Sequence, residues 1–357
     1  DAYYIQTADI DASSTSSWDS GSGFTPIGNS TTKFTGSYNG GGFTISGLTI
    51  NRPATHQIGL FGWTTNGATI QDLGLTNVSI TGLDNVGALV GFNRYDNQSL
   101  VSNCYSTGSI IGGQYVGGLI GMVDDSSTVN NCYSSGSVTG SGTDAGGLVG
   151  YNNSSAISNC YSTGSVVSSE GIRIGGLVGW SLGGSISNCY STGSVTGSNF
   201  VGGIIGFGSG GYSVTGLFWN IDDFSIDNGI GTGITTIEMM DAYTFCFAGW
   251  DFEEDENGND NGTTGGISGN GTDNWWDMVQ DGNHYPVLSW QNGDTVFVTD
   301  LTNECLADNG GCGDPTYNIC TNNIGAPPTC FDIVANGVDL IVDQSAVSQY
   351  MADDYLR

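Results

Sequence analysis

Four cysteines recur in one setting, Asn-Cys-Tyr-Ser, at Cys104, Cys132, Cys160 and Cys189, with spacings of 28, 28 and 29 residues. Thiols placed so regularly are candidates for nucleophiles, metal ligands or packing groups, and the neighbouring copies of the frame decide among these. Ile70-Gln71-Asp72-Leu73 and Val214-Thr215-Gly216-Leu217 fit the same four positions, as does Ile45-Ser46-Gly47-Leu48, with Leu in the place of Cys. A position that accepts only Leu or Cys reads as a small buried hydrophobe, which a ligand or nucleophile would not share with leucine.

The third position of the frame holds Gly47, Asp72, Asn103, Asn131, Asn159, Asn188 and Gly216, the residue types that best tolerate positive φ. A left-handed corner is therefore expected at each. It also explains why the apolar residues, as at Val101 and Cys104, stand three apart where plain strand alternation would place them two apart. Between copies run Gly-Gly-Leu-Val-Gly type segments ending at Gly121, Gly150, Gly179 and Gly206. Short β-branched runs broken by Gly, without an amphipathic helical stretch, predict strands. A repeat near 28 residues without Asn-Gly hairpin signals predicts one coil of a β-helix per repeat, each pairing in parallel with the next. The predicted fold is thus all-β, a parallel β-solenoid of about seven coils from Leu48 to Leu217.

Adjacent cysteines in such a stack lie about 4.8 Å apart, within disulfide range. Free stacked thiols are favoured, because Leu fills the same column at both ends; the pairs Cys104 with Cys132 and Cys160 with Cys189 remain the alternative. Tyr105, Tyr133, Tyr161 and Tyr190 are expected to stack as a second ladder, with packing preferred over sugar binding.

Charge excludes whole classes of partner. With Lys plus Arg at 5 and Asp plus Glu at 35, the net charge is -30, so the clustered cations that nucleic acid or an anionic membrane surface requires are missing. No apolar run is long enough to cross a membrane as a helix, so direct membrane insertion is not expected. The chain starts at Asp1 without a signal peptide and reads as an excised part of a longer precursor. Further domains of the same polypeptide are accordingly expected partners.

A solenoid needs covered ends. Residues 1–44, with Trp18, Phe24, Phe34 and Phe43, are assigned to an N-terminal cap, and 45–217 to the solenoid. Residues 218–291, rich in Trp219, Trp250, Trp275, Trp276 and Trp290, are assigned to a C-terminal cap with a short helix near Thr236 to Tyr243. Core packing is preferred for Trp275 and Trp276 over a carbohydrate platform. The acidic run from Glu253 to Gly262 lacks EF-hand spacing and reads as a solvated loop.

The run Val116-Gly117-Gly118-Leu119-Ile120-Gly121, followed by Val129-Asn130-Asn131-Cys132-Tyr133-Ser134-Ser135-Gly136-Ser137-Val138, resembles the GLUG repeat of bacterial extracellular proteins. The resemblance extends over nearly all of residues 1–291, through Gly249-Trp250-Asp251-Phe252 to Tyr285-Pro286-Val287-Leu288-Ser289-Trp290. It implies a secreted adhesin or adhesin-like segment at the bacterial cell surface or in an extracellular filament, facing a cell-surface or glycan ligand. Residues 292–335 are similar to a calcium-binding epidermal-growth-factor-like module, on Asn309-Gly310-Gly311-Cys312 and Cys320-Thr321-Asn322-Asn323-Ile324-Gly325. Four cysteines stand where that family has six. The resemblance implies disulfides Cys305 to Cys320 and Cys312 to Cys330, and calcium as the one cofactor, held by Glu304 and Asn322. The family's further acidic ligand falls on Leu301, with Asp300 one place away. Residues 336–357 are assigned to a linker or the start of a further domain.

The chief rival function is a polysaccharide lyase or glycoside hydrolase, since these enzymes also use β-helices. Lyase chemistry needs a base and a cation together, and Lys33, Arg52, Arg94, Arg173, Arg357, His56 and His284 share no column of neighbouring coils. A hydrolase needs two carboxylates, which are easily concealed among 35. The expectation is therefore an adhesin or stalk and not an enzyme. An ice-binding solenoid, on the column Thr107, Thr163 and Thr192, is a minor alternative weakened by Ser135.

Overall fold

The computed structural model describes residues 2–94, 99–223 and 228–240, then 244–245, 248, 250, 276–277, 285–288 and 291, with the strand backbones of 316–321, 329–336 and 339–342. Residues 1–235 and 236–357 form two compact units.

The first unit is a parallel β-solenoid of about six turns. Four of the turns contribute to three sheets, and in the two before them Ile58 and Val86 extend the narrow ladder as isolated bridges. The long sheet runs through Thr69–Thr81, Leu100–Gly112, Thr128–Asn130, Ala156–Ser162, Ser185–Ser191 and Ser213–Asn220. A narrow sheet holds Val116–Gly117, Asp144–Gly146, Arg173–Gly175 and Val201–Gly202. A flat sheet of six strands holds Phe61–Thr64, Val90–Asn93, Ile120–Asp124, Val149–Asn153, Val178–Leu182 and Ile205–Ser209. The strand pairing is parallel and in register: Ile157 lies over Ile186 and Cys160 over Cys189, and Cys189 lies over Leu217.

Asp72, Asn103, Asn131, Asn159 and Asn188 have φ between 50° and 55°, and Gly216 has φ 59°, so the chain does turn a left-handed corner at each. The corner swings the next residue inward, which is why Val101 and Cys104, three apart, both point into the core. Asn103 Nδ2 donates to Asp72 Oδ1 at 2.9 Å and Asn131 Nδ2 to Asn103 Oδ1 at 3.2 Å, so the corners are also tied along the axis.

The coil count is corrected from seven to six. Ile45 pairs with Leu75, not with Ile70, and Tyr38 takes the place beside Ile70. The mismatch has a physical cause. Leu75-Thr76-Asn77-Val78 forms a second corner with the same residue frame, Asn77 at φ 53° and Gly47 at φ 71°, and the Gly47 amide donates to Thr76 O. Ile45-Ser46-Gly47-Leu48 belongs to that second corner, so the Leu/Cys column begins at Leu73.

The segment before the first complete turn joins the same ladders. Tyr3–Ile5 pairs with Ser37–Asn39, which pairs with Thr69–Thr81, and Ala12, Ile45 and Leu48 enter the core. Phe34 and Tyr38 pack on Phe61 at ring distances of 4.8 and 5.6 Å. At the other end Thr232–Ile234 pairs in parallel with Phe218–Asn220, so the ladder continues beyond Leu217.

In the second unit a one-turn helix, Thr236–Met239, begins where a helix was expected. Phe245, Trp250 and Trp276 pack together, with Trp250 and Trp276 only 4.4 Å apart at their ring centres and both buried. Trp276 therefore offers no open face to a sugar, while Trp275 and Trp290 lie outside the described residues. Thr316–Thr321, Thr329–Asn336 and Asp339–Val342 form an antiparallel sheet in which Cys320 and Cys330 are register partners.

Candidate functional site

The repeat builds two surfaces from one alternation. In Cys-Tyr-Ser the first and third residues point inward and the tyrosine outward. All four cysteines are buried and free. Each thiol donates to the carbonyl two residues before it, at 3.0 to 3.2 Å from Cys104, Cys132, Cys160 and Cys189 to Ser102, Asn130, Ser158 and Ser187. Burial pushes the Cys132 and Cys189 thiols well above the ordinary cysteine range. Thiols so held are poor nucleophiles. A thiol reagent is expected to leave all four unmodified in the native protein and to modify them on denaturation; rapid native modification at any of them would contradict the buried column.

The serine that follows explains the Gly-Gly run. Ser134, Ser162 and Ser191 face the second glycine of that run, and a Cβ on Gly118, Gly147 or Gly176 would lie 2.2, 2.1 and 2.3 Å from their hydroxyl oxygens. At this point the chain after the narrow sheet meets the long sheet with only the serine side chain between them. The first glycine is restricted by backbone: a Cβ on Gly117 would lie 2.0 Å from Ile120 O. The leucines between, Leu119, Leu148 and Leu177, fill the core.

Tyr105, Tyr133, Tyr161 and Tyr190 stack at 4.8, 4.8 and 4.9 Å with interplanar angles of 3°, 1° and 2°. Their ring faces cover one another, and Tyr161 and Tyr190 are buried, so the ladder has no open ring face. In the threonine column, Thr192 is buried, Ser135 is exposed and Thr107 accepts the Asn77 amide at 2.9 Å, so its members differ in exposure and bonding.

The flat sheet carries a surface that sequence reasoning missed. Phe61, Val90, Ile120, Val149, Val178 and Ile205 form its inner column. Two residues further along each strand, outside that core, stand Trp63, Phe92, Met122, Tyr151, Trp180 and Phe207, all in register, with Phe92 and Tyr151 buried at 6% and 7% exposure and the other four half-buried. Five steps of about 4.8 Å make this stripe roughly 24 Å long. A second outward column, from the narrow sheet, lies beside it: Tyr115 stacks on Tyr151 at 5.2 Å and Phe200 packs on Phe207 at 4.9 Å. Tyr151 is pushed up to about 12 by burial and then by the Tyr115 hydroxyl and the Asp124 and Asp144 carboxylates, so it stays protonated.

Three of the chain's five Lys and Arg residues sit on this stripe. Lys33 Nζ lies 5.3 Å from the Trp63 ring, the Arg94 guanidinium 5.7 Å from Phe92, and the Arg173 guanidinium 3.8 Å from Trp180. Cations hold such positions by attraction to the ring quadrupole. Arg173 also grips the fully buried carboxylate of Asp144 through two nitrogens, Nε to Oδ1 and a terminal nitrogen to Oδ2 at 2.9 Å. Different coils supply the stripe with Trp, Phe, Met, Tyr, Trp and Phe, a mixture that hides the column from a search for identical residues.

Asp124, beside the stripe and 3% exposed, is held above the usual carboxylate range, first by burial and then by Asp125. A folded-state value raised above the unfolded one means that ionisation costs folding stability, increasingly so as pH rises past the unfolded value of 3.8. Asp124→Asn keeps the oxygen that accepts from Asn153 and Asp125. It is expected to raise the urea midpoint at pH 7, with the gain vanishing below about pH 4; a gain independent of pH would contradict this.

Asp300, Glu304, Asn322, Cys305 and Cys312 lie outside the described residues, as does the run 253–262, and of Cys320 and Cys330 only the strand backbone is described. Among the described residues no three His, Cys, Asp or Glu side chains lie together as a metal site would require. No described helix is long and apolar enough to cross a membrane.

Fold and repeat together define a parallel β-solenoid, four of whose turns match the GLUG motif. The family description, the GLUG motif, matches residues 82–111, 112–139, 141–167 and 170–196, one match per turn. Halomucin of Haloquadratum walsbyi is 43% identical over 126 residues, 34% of this chain and 1% of halomucin. A protein of Evansella cellulosilytica, provisionally named a Gly-rich membrane protein, is 37% identical over 83 residues, 23% of this chain and 10% of that protein. The chain thus spans only a small part of these relatives. A Bacteroides ovatus crystal structure, provisionally described as an immunoglobulin A1 protease, superposes with TM-score 0.49 at 19% identity, covering 81% of this chain and 86% of that one. Nothing about activity follows from a likeness of that degree.

Proposed function

We propose that this chain is an extracellular, adhesin-like segment of a larger cell-surface protein, and that it holds carbohydrate without catalysis along the aromatic stripe of the flat sheet. The observation that carries the reading is the in-register column in which Trp63, Met122, Trp180 and Phe207 keep partly exposed side chains outside the core, with the exposed Phe200 packed on Phe207. The apolar C–H faces of sugar rings are attracted to aromatic quadrupoles, and a column parallel to the axis suits an extended chain of sugars. The names of the relatives, halomucin and a Gly-rich membrane protein, support placement at a cell surface.

Binding to a panel of immobilised glycans and whole-cell surfaces tests it. Trp180→Ala combined with Phe207→Ala is expected to reduce retention at least tenfold while leaving the far-ultraviolet circular dichroism unchanged. Undiminished binding by that folded variant would overturn the site, and turnover of any bound polysaccharide would overturn the non-enzymatic reading.

A further inference from the structure

We infer that the outward face of the long sheet binds ice, holding the ordered water of the crystal surface on two columns of hydroxyl and methyl groups. The face belongs to a different sheet from the aromatic stripe, so the inference is independent of the carbohydrate reading. Its strands pair in register through Thr69–Thr81, Leu100–Gly112, Ser137–Gly140, Val166–Ser168 and Val195–Thr196. Ile80, Ile110, Val138, Val166 and Val195 are buried beneath it. The residue before each of these is a serine, Ser79, Ser109, Ser137, Ser165 or Ser194, and the residue after each is Thr81, Ile111, Thr139, Val167 or Thr196. Every one of them is exposed or half-exposed. The column Thr107, Ser135, Thr163 and Thr192 is separate, being on the other side of Gly108, Gly136, Gly164 and Gly193, and lacks this evenness.

What the two columns leave out narrows the ligand. In a chain with 35 acidic and 5 basic residues they hold no charge, and Asp84 and Glu170, the nearest in sequence, come three residues after Thr81 and Val167. They hold no aromatic ring either, so a sugar finds no ring face to lie on. Protein interfaces favour aromatic residues, Met and Arg over Ser, so a protein partner suits the face poorly. A neutral ligand built of hydrogen-bonding groups at a fixed repeat does suit it. Ser137 Oγ donates to Gly108 O at 3.5 Å; the other hydroxyls of the two columns have no partner among the described residues and are left to water. The β-branched residues of the second column are stiff at χ1. Parallel pairing sets neighbours about 4.8 Å apart along the axis and the columns about 7 Å apart across it. Water beside a methyl group is restricted in orientation, so the five strands impose one repeat on it over roughly 19 Å. The oxygen rows of hexagonal ice repeat at closely similar intervals. Liquid water has no lattice to meet that repeat, whereas a crystal engages every strand at once, so that weak contacts add.

The whole chain is presented to a slowly growing ice hemisphere and, in a nanolitre osmometer, to single ice crystals. It is expected to enter the ice well beyond its share of the liquid and to open a gap between melting and freezing points. Thr139→Lys, in the middle of the second column, is expected to reduce uptake at least tenfold with the far-ultraviolet circular dichroism unchanged. Ile111→Lys on the neighbouring strand is expected to do the same. Val167→Thr, which keeps the shape and adds a hydroxyl, and Trp180→Ala, on the other sheet, are expected to retain uptake. Exclusion of the unaltered chain from ice would overturn the inference, as would undiminished uptake by either folded lysine variant. Loss of uptake in Trp180→Ala would place the contact on the stripe and overturn the assignment to this face. A dimer in sedimentation that Thr139→Lys dissociates, without uptake into ice, would give the face to a second copy of the chain and overturn it too.

Discussion

Gly175→Ala is expected to destabilise the solenoid by about 3 kcal/mol or more, at or beyond the upper end of ordinary overpacking. A Cβ at Gly175 would stand 2.0 Å from Val178 O, 2.6 Å from Gly206 N and 2.8 Å from Val178 C, all backbone atoms. A crowded side chain finds another rotamer, but here the neighbouring backbone is fixed by parallel pairing on either side, Gly175 with Gly146 and with Gly202. Relief would therefore require the narrow sheet to move off the flat one. Because each coil draws its stability from its neighbours, the damage spreads along the axis. Gly140→Ala is the control: its Cβ would meet only the Ala145 methyl at 3.3 Å and the Ser168 side chain at 3.4 Å, contacts that yield. Urea unfolding at 25 °C reads both. A cost below about 1 kcal/mol for Gly175→Ala would mean the two sheets are not in backbone contact.

The second large effect is expected at Arg173. Removing one partner of a buried ion pair costs about 3–5 kcal/mol, because the remaining charge is left without compensation. Asp144 is the fully buried member, gripped by Arg173 at both oxygens and by Thr143 Oγ1 at 2.6 Å. Arg173 is 22% exposed on its side chain, so solvent compensates in part and about 3 kcal/mol is the expected loss for Arg173→Met. Asp144→Asn in the same background is expected to restore most of it, since no buried charge then remains. If the double variant is no more stable than Arg173→Met, the stacking of Arg173 on Trp180 is the larger contribution.

Much of the fold was legible because the physical demands repeat in one column. Positive φ restricts the corner to Asn, Asp or Gly, and a confined interior restricts the next slot to Cys or Leu, so composition at Asn103-Cys104 and its equivalents reports geometry directly. The same reasoning miscounted the first copy, because Asn77 and Gly47 make a second corner under the same restriction. The stripe was not legible. Its positions require only a large side chain outside the core, and Trp63, Phe92, Met122, Tyr151, Trp180 and Phe207 satisfy that with unlike residues at intervals of 27 to 30. The cations were read individually, and their gathering on one face depends on loops that bring Lys33 over Trp63.

Everything proposed for the surface depends on successive repeats stacking as parallel, in-register coils. Spin labels on a ketone-bearing residue, which leaves the native cysteines untouched, measure this directly when placed at outward positions 81, 139, 167 and 196. Thr81 and Thr196 lie four coils apart and are expected near 19 Å, against about 10 Å for Thr139 with Thr196 and about 5 Å for Val167 with Thr196. Distances that rise by one strand spacing per repeat are the expected result; distances that fail to rise in that order would contradict the stacked solenoid and the stripe built on it.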